Sequence, residues 1–66
     1  MITEIKFVLT NHMELHIATE ARFFSEEFTD AFTELMDNYL SWSMTAEPFV
    51  YVESMHVFID GNWVRL

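Results

Sequence analysis

Cysteine is absent, and glycine and proline occur once each. Without Cys the chain can be neither a disulfide scaffold nor a Cys-ligated zinc module. Basic residues are scarce too: 3 Lys and Arg stand against 11 acids, a formal net charge of −8. A surface this acidic excludes direct nucleic-acid binding, which takes cations for the phosphates. No apolar run approaches the roughly 20 residues of a membrane span, so no membrane is expected among the partners. The opening MITEIKF has neither the basic nor the apolar region of a signal peptide, and a cytoplasmic location is expected.

Catalytic patterns are missing as well. Ser25, Ser41, Ser43 and Ser54 have no His-acid partner in a recognisable motif. His12, His16 and His56 lack the helical His-x3-His spacing of a zinc site and read as surface or edge histidines. Carboxylates used for acid–base chemistry need a pocket that separates their pKa values, and a chain of 66 residues has little room for one. No enzyme and no cofactor is expected.

What is present is bulk. Hydrophobic residues make up 52% and aromatics 17%, too much for a disordered chain. The 66 residues suffice for a single small domain spanning 1–66. Seven Phe, two Trp, two Tyr and five Met offset the small size, because each aromatic buries about 150–250 Å².

Residues 4–10 alternate, with Ile5, Phe7 and Leu9 on one face, and residues 14–18 repeat the pattern with Leu15 and Ile17. Two half-buried strands follow. Pairing Leu9 with Leu15 and Phe7 with Ile17 keeps the apolar residues together and needs a loop of three or five residues. From Ser25 the period changes: Phe28, Ala31, Phe32, Leu35, Met36, Tyr39 and Leu40 mark an amphipathic helix. Ser25 is the expected N-cap, with Glu26 and Glu27 at the positive end of the dipole. Ala21 and Phe24 extend the stripe and admit a start at Thr19; the end is expected near Met44, before Pro48.

Beyond Pro48, FVYVES, MHVFID and WVRL read as strands. A phase shift at Glu53-Ser54 calls for a turn or a bulge. Gly61-Asn62 is read as the loop of a hairpin, pairing Ile59 with Val64 and Val57 with Leu66 and placing all four on the core face. The expected fold is α+β: an antiparallel sheet of four or five strands in ββ-α-ββ(β) order, with one amphipathic helix on one face. Val8, Phe58 and Trp63 then fall on the other face, more apolar than a solvated sheet needs.

Charge gives the sharpest signal. Between Arg22 and Arg65 there is no Lys or Arg, yet the stretch holds eight acids: Glu26, Glu27, Asp30, Glu34, Asp37, Glu47, Glu53 and Asp60. On a helix, Glu27, Asp30, Glu34 and Asp37 form one stripe opposite the apolar one. Their neighbours sit about 5–6 Å apart, and each like-charge pair costs a few tenths of a kcal/mol. Such a row approximates the phosphates of a nucleic-acid strand, and a basic groove would meet it favourably. The same charge also keeps a small apolar protein in solution.

With the stripe EEFTDAFTELMD, its size and its composition, the chain resembles the small acidic DNA-mimic proteins of phages and mobile elements. Those proteins block restriction enzymes, uracil-DNA glycosylase, nucleoid proteins or CRISPR effector complexes. They share no motif, so the resemblance transfers no site residue by position. It implies a non-enzymatic inhibitor, of the anti-CRISPR class by preference, acting in the cytoplasm of a bacterial host. The implied partner is a basic nucleic-acid-binding protein or ribonucleoprotein complex. The expected binding residues are the eight acids above with Phe58 and Trp63. This chain is more apolar than many such mimics, which adds an aromatic patch to the expected grip. The alternative is a small homodimeric interaction module, adaptor- or antitoxin-like, built on the aromatic sheet face; the chain is accordingly a monomer or a homodimer.

Overall fold

A computed structural model of the chain describes residues 1–43 and 50–66. Four strands and a helix follow in the order β1 (Ile2–Leu9), β2 (Glu14–Ala21), α1 (Glu26–Ser43), β3 (Val52–Ile59) and β4 (Asn62–Arg65). The sheet is antiparallel throughout, with spatial order β2-β1-β3-β4. This is the expected α+β arrangement, with four strands among the described residues. Among the described residues no break separates FVYVES from MHVFID: β3 runs unbroken from Val52 to Ile59, Val50 and Tyr51 precede it, and Phe49 lies outside the described residues.

The first hairpin closes through a three-residue loop, Thr10 to His12. Leu9 N–H donates to Met13 O at 2.8 Å, His12 N–H donates to Leu9 O at 2.9 Å, and His12 takes a φ of 70°. Phe7 faces Leu15 and Ile5 faces Ile17, a two-residue slip from the expected Leu9–Leu15 pairing. Strand side chains repeat every two residues, so the slip returns each of them to the same face.

The second hairpin differs in the same way. Its central residues are Asp60 and Gly61, not Gly61 and Asn62, with φ values of 52° and 81°. Two consecutive positive φ angles define a type I′ turn, whose twist suits a tight hairpin and for which Asp-Gly is a favoured pair. Ile59 therefore faces Asn62, Phe58 faces Trp63, and Val57 faces Val64. Again the register moves by two and the faces survive.

Two irregularities tune the central strands. Val8 faces Ser54 while Leu9 faces Val52, which leaves Glu53 as the extra residue of a bulge. This accounts for the phase shift in the sequence. At the other end Ile2 faces Ile59 and Glu4 faces Phe58, so Thr3 is bulged on β1 and both Ile2 and Ile5 reach the core.

The helix starts at its cap. Ser25 Oγ accepts from Phe28 N–H at 3.2 Å and donates to Arg22 O at 2.7 Å. A start at Thr19 does not occur, because residues 19–21 complete β2 and Ala21 is buried in the core. The helix is described to Ser43; Met44, Glu47 and Pro48 lie outside the described residues. Tyr39 OH donates to Val50 O at 2.9 Å and ties the helix to the approach of β3.

The buried core comprises Ile2, Ile5, Phe7, Leu9, Ala21, Phe28, Ala31, Leu35 and Val57. Helix α1 lies over β2 and reaches β1, with no close backbone approach to β3 or β4. The geometry explains this. A helix with its side chains is about 10–12 Å across and strands sit about 4.8 Å apart, so one helix roofs roughly two strands. The expected core face of Val57, Ile59, Val64 and Leu66 is consequently only half realised: Val57 is buried, Ile59 is half-buried, and Val64 and Leu66 are exposed.

Candidate docking surfaces

Three surfaces merit a functional reading. The first is the helix. Glu26, Glu27, Asp30, Glu34 and Asp37 are all exposed on α1, and among the described residues none of the five forms an ion pair. The helix has acids in its first turn and no base in its last. From Glu27 to Asp37 the stripe is about 15 Å long at 1.5 Å per residue. That is between four and five phosphate spacings at a rise of about 3.4 Å per nucleotide. Glu53 and Asp60 are exposed at opposite ends of β3, away from the stripe, and Glu47 lies outside the described residues.

The second surface is the outer sheet face. Cross-strand pairing sets His16, Lys6, His56 and Arg65 in one row across the four strands. Trp63 lies over that row. Its ring is 5.1 Å from Phe58 and 5.8 Å from His16, centre to centre, and Lys6 Nζ is 4.1 Å from the ring centre. A cation over an indole face is attractive. Trp63 remains 38% exposed, while Phe58 and Val8 are half-buried. The acidic stripe and the Phe58–Trp63 pair thus sit on opposite sides of the sheet and do not form one site.

Carboxylates complete this face. His16 Nδ1 lies 3.0 Å from Glu4 Oε2 and His16 Nε2 lies 2.9 Å from Glu14 Oε1. A neutral imidazole donates from one nitrogen only, so carboxylates at both nitrogens favour the imidazolium. The hydrogen bond to Glu4 is the main cause that raises the His16 pKa, with partial burial opposing it and Glu14 assisting. In return the His16 bond holds the Glu14 carboxyl below its ordinary range. Lys6 Nζ also approaches Glu14 at 3.9 Å. His56 Nε2 is engaged by Ser54 Oγ at 2.8 Å.

The third surface is one that the periodicity did not reveal. Where α1 stops short of β3 and β4, an open groove of ≈ 440 Å³ remains, lined by Phe23, Phe24, Phe28, Phe32, Met55 and Leu66. Phe28 and Phe32, one turn apart, form the helix wall, and Phe32 meets Phe7 edge-to-face at 5.8 Å. Phe23 and Phe24 lie 5.8 and 6.0 Å from the Phe28 ring. Phe24 is the outlier of the fold: it is 87% exposed and has a φ of 61°. The left-handed region costs a residue with a side chain about 1–2 kcal/mol, and a bulky residue is rarely found there. A Phe-Phe pair between the end of a strand pattern and a capping Ser is the signal that marked this groove. Phe24 also fits the helical stripe, and that double fit masks the signal. Set against protein-family models, curated proteins and solved structures, the chain has no significant match in any of the three.

Proposed function

We propose that the chain is a non-enzymatic inhibitor. It lays the acidic face of α1 on the nucleic-acid site of a basic protein or ribonucleoprotein complex. The observation that carries this reading is the row of five exposed carboxylates on α1, free of ion pairs among the described residues. An ordinary solvated helix would gain from Lys at i+4, and this one forgoes it. The stripe supplies regular negative charge on a rigid rod, and it steers a basic partner over long distances at low salt. Inhibition by occupancy is the mode of the phage DNA mimics that the chain resembles, and an anti-CRISPR role in a bacterial host is the specific form proposed.

The test is Asp30→Lys combined with Glu34→Lys. Both residues are exposed, so the fold should be retained and like-charge strain relieved. In a competition assay between DNA and a CRISPR effector complex, the double variant should lose inhibition. Wild-type inhibition should weaken steeply with ionic strength. A double variant that melts no earlier and inhibits fully overturns the reading. The homodimeric alternative has less support, because Trp63 spends its ring on Phe58, Lys6 and His16 of its own chain.

A further inference from the structure

We propose that the Phe-lined groove receives a cationic amphipathic segment of the partner protein: an apolar anchor side chain enters the groove while flanking Lys or Arg residues meet Glu26 and Glu27 in the first turn of α1. The inference rests on the reading of α1 as the surface that meets a basic partner, and it adds what that partner must carry besides charge.

Three observations converge. The groove exists because one helix roofs two strands of four, leaving Met55 and Leu66 facing Phe28 and Phe32 across open space. Its lip is Phe24, 87% exposed and held in the left-handed region, its ring meeting Phe23 and Phe28 of the same groove. Residues kept in unfavourable backbone geometry cluster at ligand clamps and switch regions. The third observation selects the occupant. Phe23 and Phe24 are followed, after the capping Ser25, by Glu26 and Glu27, both exposed in the first turn of α1, while Asp30, Glu34 and Asp37 extend the negative field along the helix's outer face. The cation that adjoins Phe23 in the chain is Arg22, itself exposed. A second copy of the chain would bring another net charge of −8 to the same place. A segment with an apolar face and Lys or Arg on its flanks matches both the groove and the field around it.

Peptide titration against the full chain tests this. Three fluorescent probes serve: a Lys/Leu peptide of helical period, the same composition scrambled so that no apolar face forms, and a Glu/Leu peptide of helical period. At physiological ionic strength the Lys/Leu amphipath should bind at least roughly tenfold more tightly than the scrambled peptide, the usual scale of one good apolar anchor. The Glu/Leu peptide should not bind. Phe24→Gly removes the ring and suits the positive φ, so the fold is kept, as circular dichroism will verify. This variant should bind the amphipath no better than the scrambled peptide, with affinity for the scrambled peptide unchanged. Equal binding of the amphipath by Phe24→Gly and wild type overturns the proposal. So does binding of the Glu/Leu peptide, or a concentration-dependent wild-type dimer that Phe24→Gly abolishes, which would make the occupant a second copy. Asp30→Lys with Glu34→Lys separates the two readings. If the charge reading alone is wrong, this double variant leaves the scrambled-peptide affinity intact while the Phe24→Gly effect persists. If the groove alone is wrong, the double variant weakens both cationic probes and Phe24→Gly weakens neither.

Discussion

At the residue scale, His16 carries the clearest consequence. Both ring nitrogens face carboxylates, Glu4 on one side and Glu14 on the other, and its pKa is raised. An imidazole in the unfolded chain titrates near about 6.5. The folded state therefore binds the proton more tightly, and this stabilisation is fully present below the unfolded pKa. It is lost as pH rises through the higher folded value. Glu14 has the opposite sign: its lowered pKa adds stability at neutral pH that disappears as pH falls through the folded value. The urea midpoint should fall as pH is raised from weakly acidic to weakly alkaline, and His16→Ala should flatten that fall. An NMR titration that finds the His16 pKa at or below the ordinary imidazole value would contradict the assignment.

At the element scale, the helix presents two apolar positions that look alike in the sequence and differ in the fold. Leu35 is 0% exposed, at the centre of the contact with the sheet. Phe32 is half-buried, with one edge on Phe7 and the other on the groove. Leu35→Ala should cost about 2–5 kcal/mol, through lost transfer energy and a cavity, and Phe32→Ala should cost less because part of its ring is already solvated. Urea denaturation of the two variants gives the order directly, and a larger loss at Phe32 would place the helix over the wrong half of the sheet. The same elements show what was legible in the sequence. Alternation, helical period and the Ser25 cap are local signals, and each gave its element and its buried face. Both hairpin registers came out two residues away from the observed pairing, at Leu9–Leu15 and at Gly61-Asn62. Parity constrains the face of a strand but not its partner, and the turn that fixes the partner depends on φ angles the residue names only suggest. The acidic stripe was readable because charge and spacing are both written in the chain. The groove was not, because it arises from the width of one helix set against four strands.

At the scale of the whole molecule, charge is unevenly divided. Lys6 and Arg65, two of the three basic residues, share the outer sheet face with His16 and His56, while the helix on the other face carries five acids. A basic partner should thus approach from the helix side. Trp63 closes the far side. Trp63→Ser removes its contacts with Phe58, His16 and Lys6 and should cost about 1–2 kcal/mol of folding stability, since the ring is partly solvated already. Its elution volume in size-exclusion chromatography should match the wild type at every concentration. A dimer lost in this variant would move the self-association surface to the outer face. The strand order has a further consequence, for the order of assembly. β1 is bonded on both sides in the finished sheet, to β2 nearby and to β3, whose Val57 lies 52 residues beyond Ile5. The first hairpin and the helix are neighbours in the chain and can meet early in folding. Burial of β1 must wait for that long-range closure, so its second edge stays open until β3 arrives.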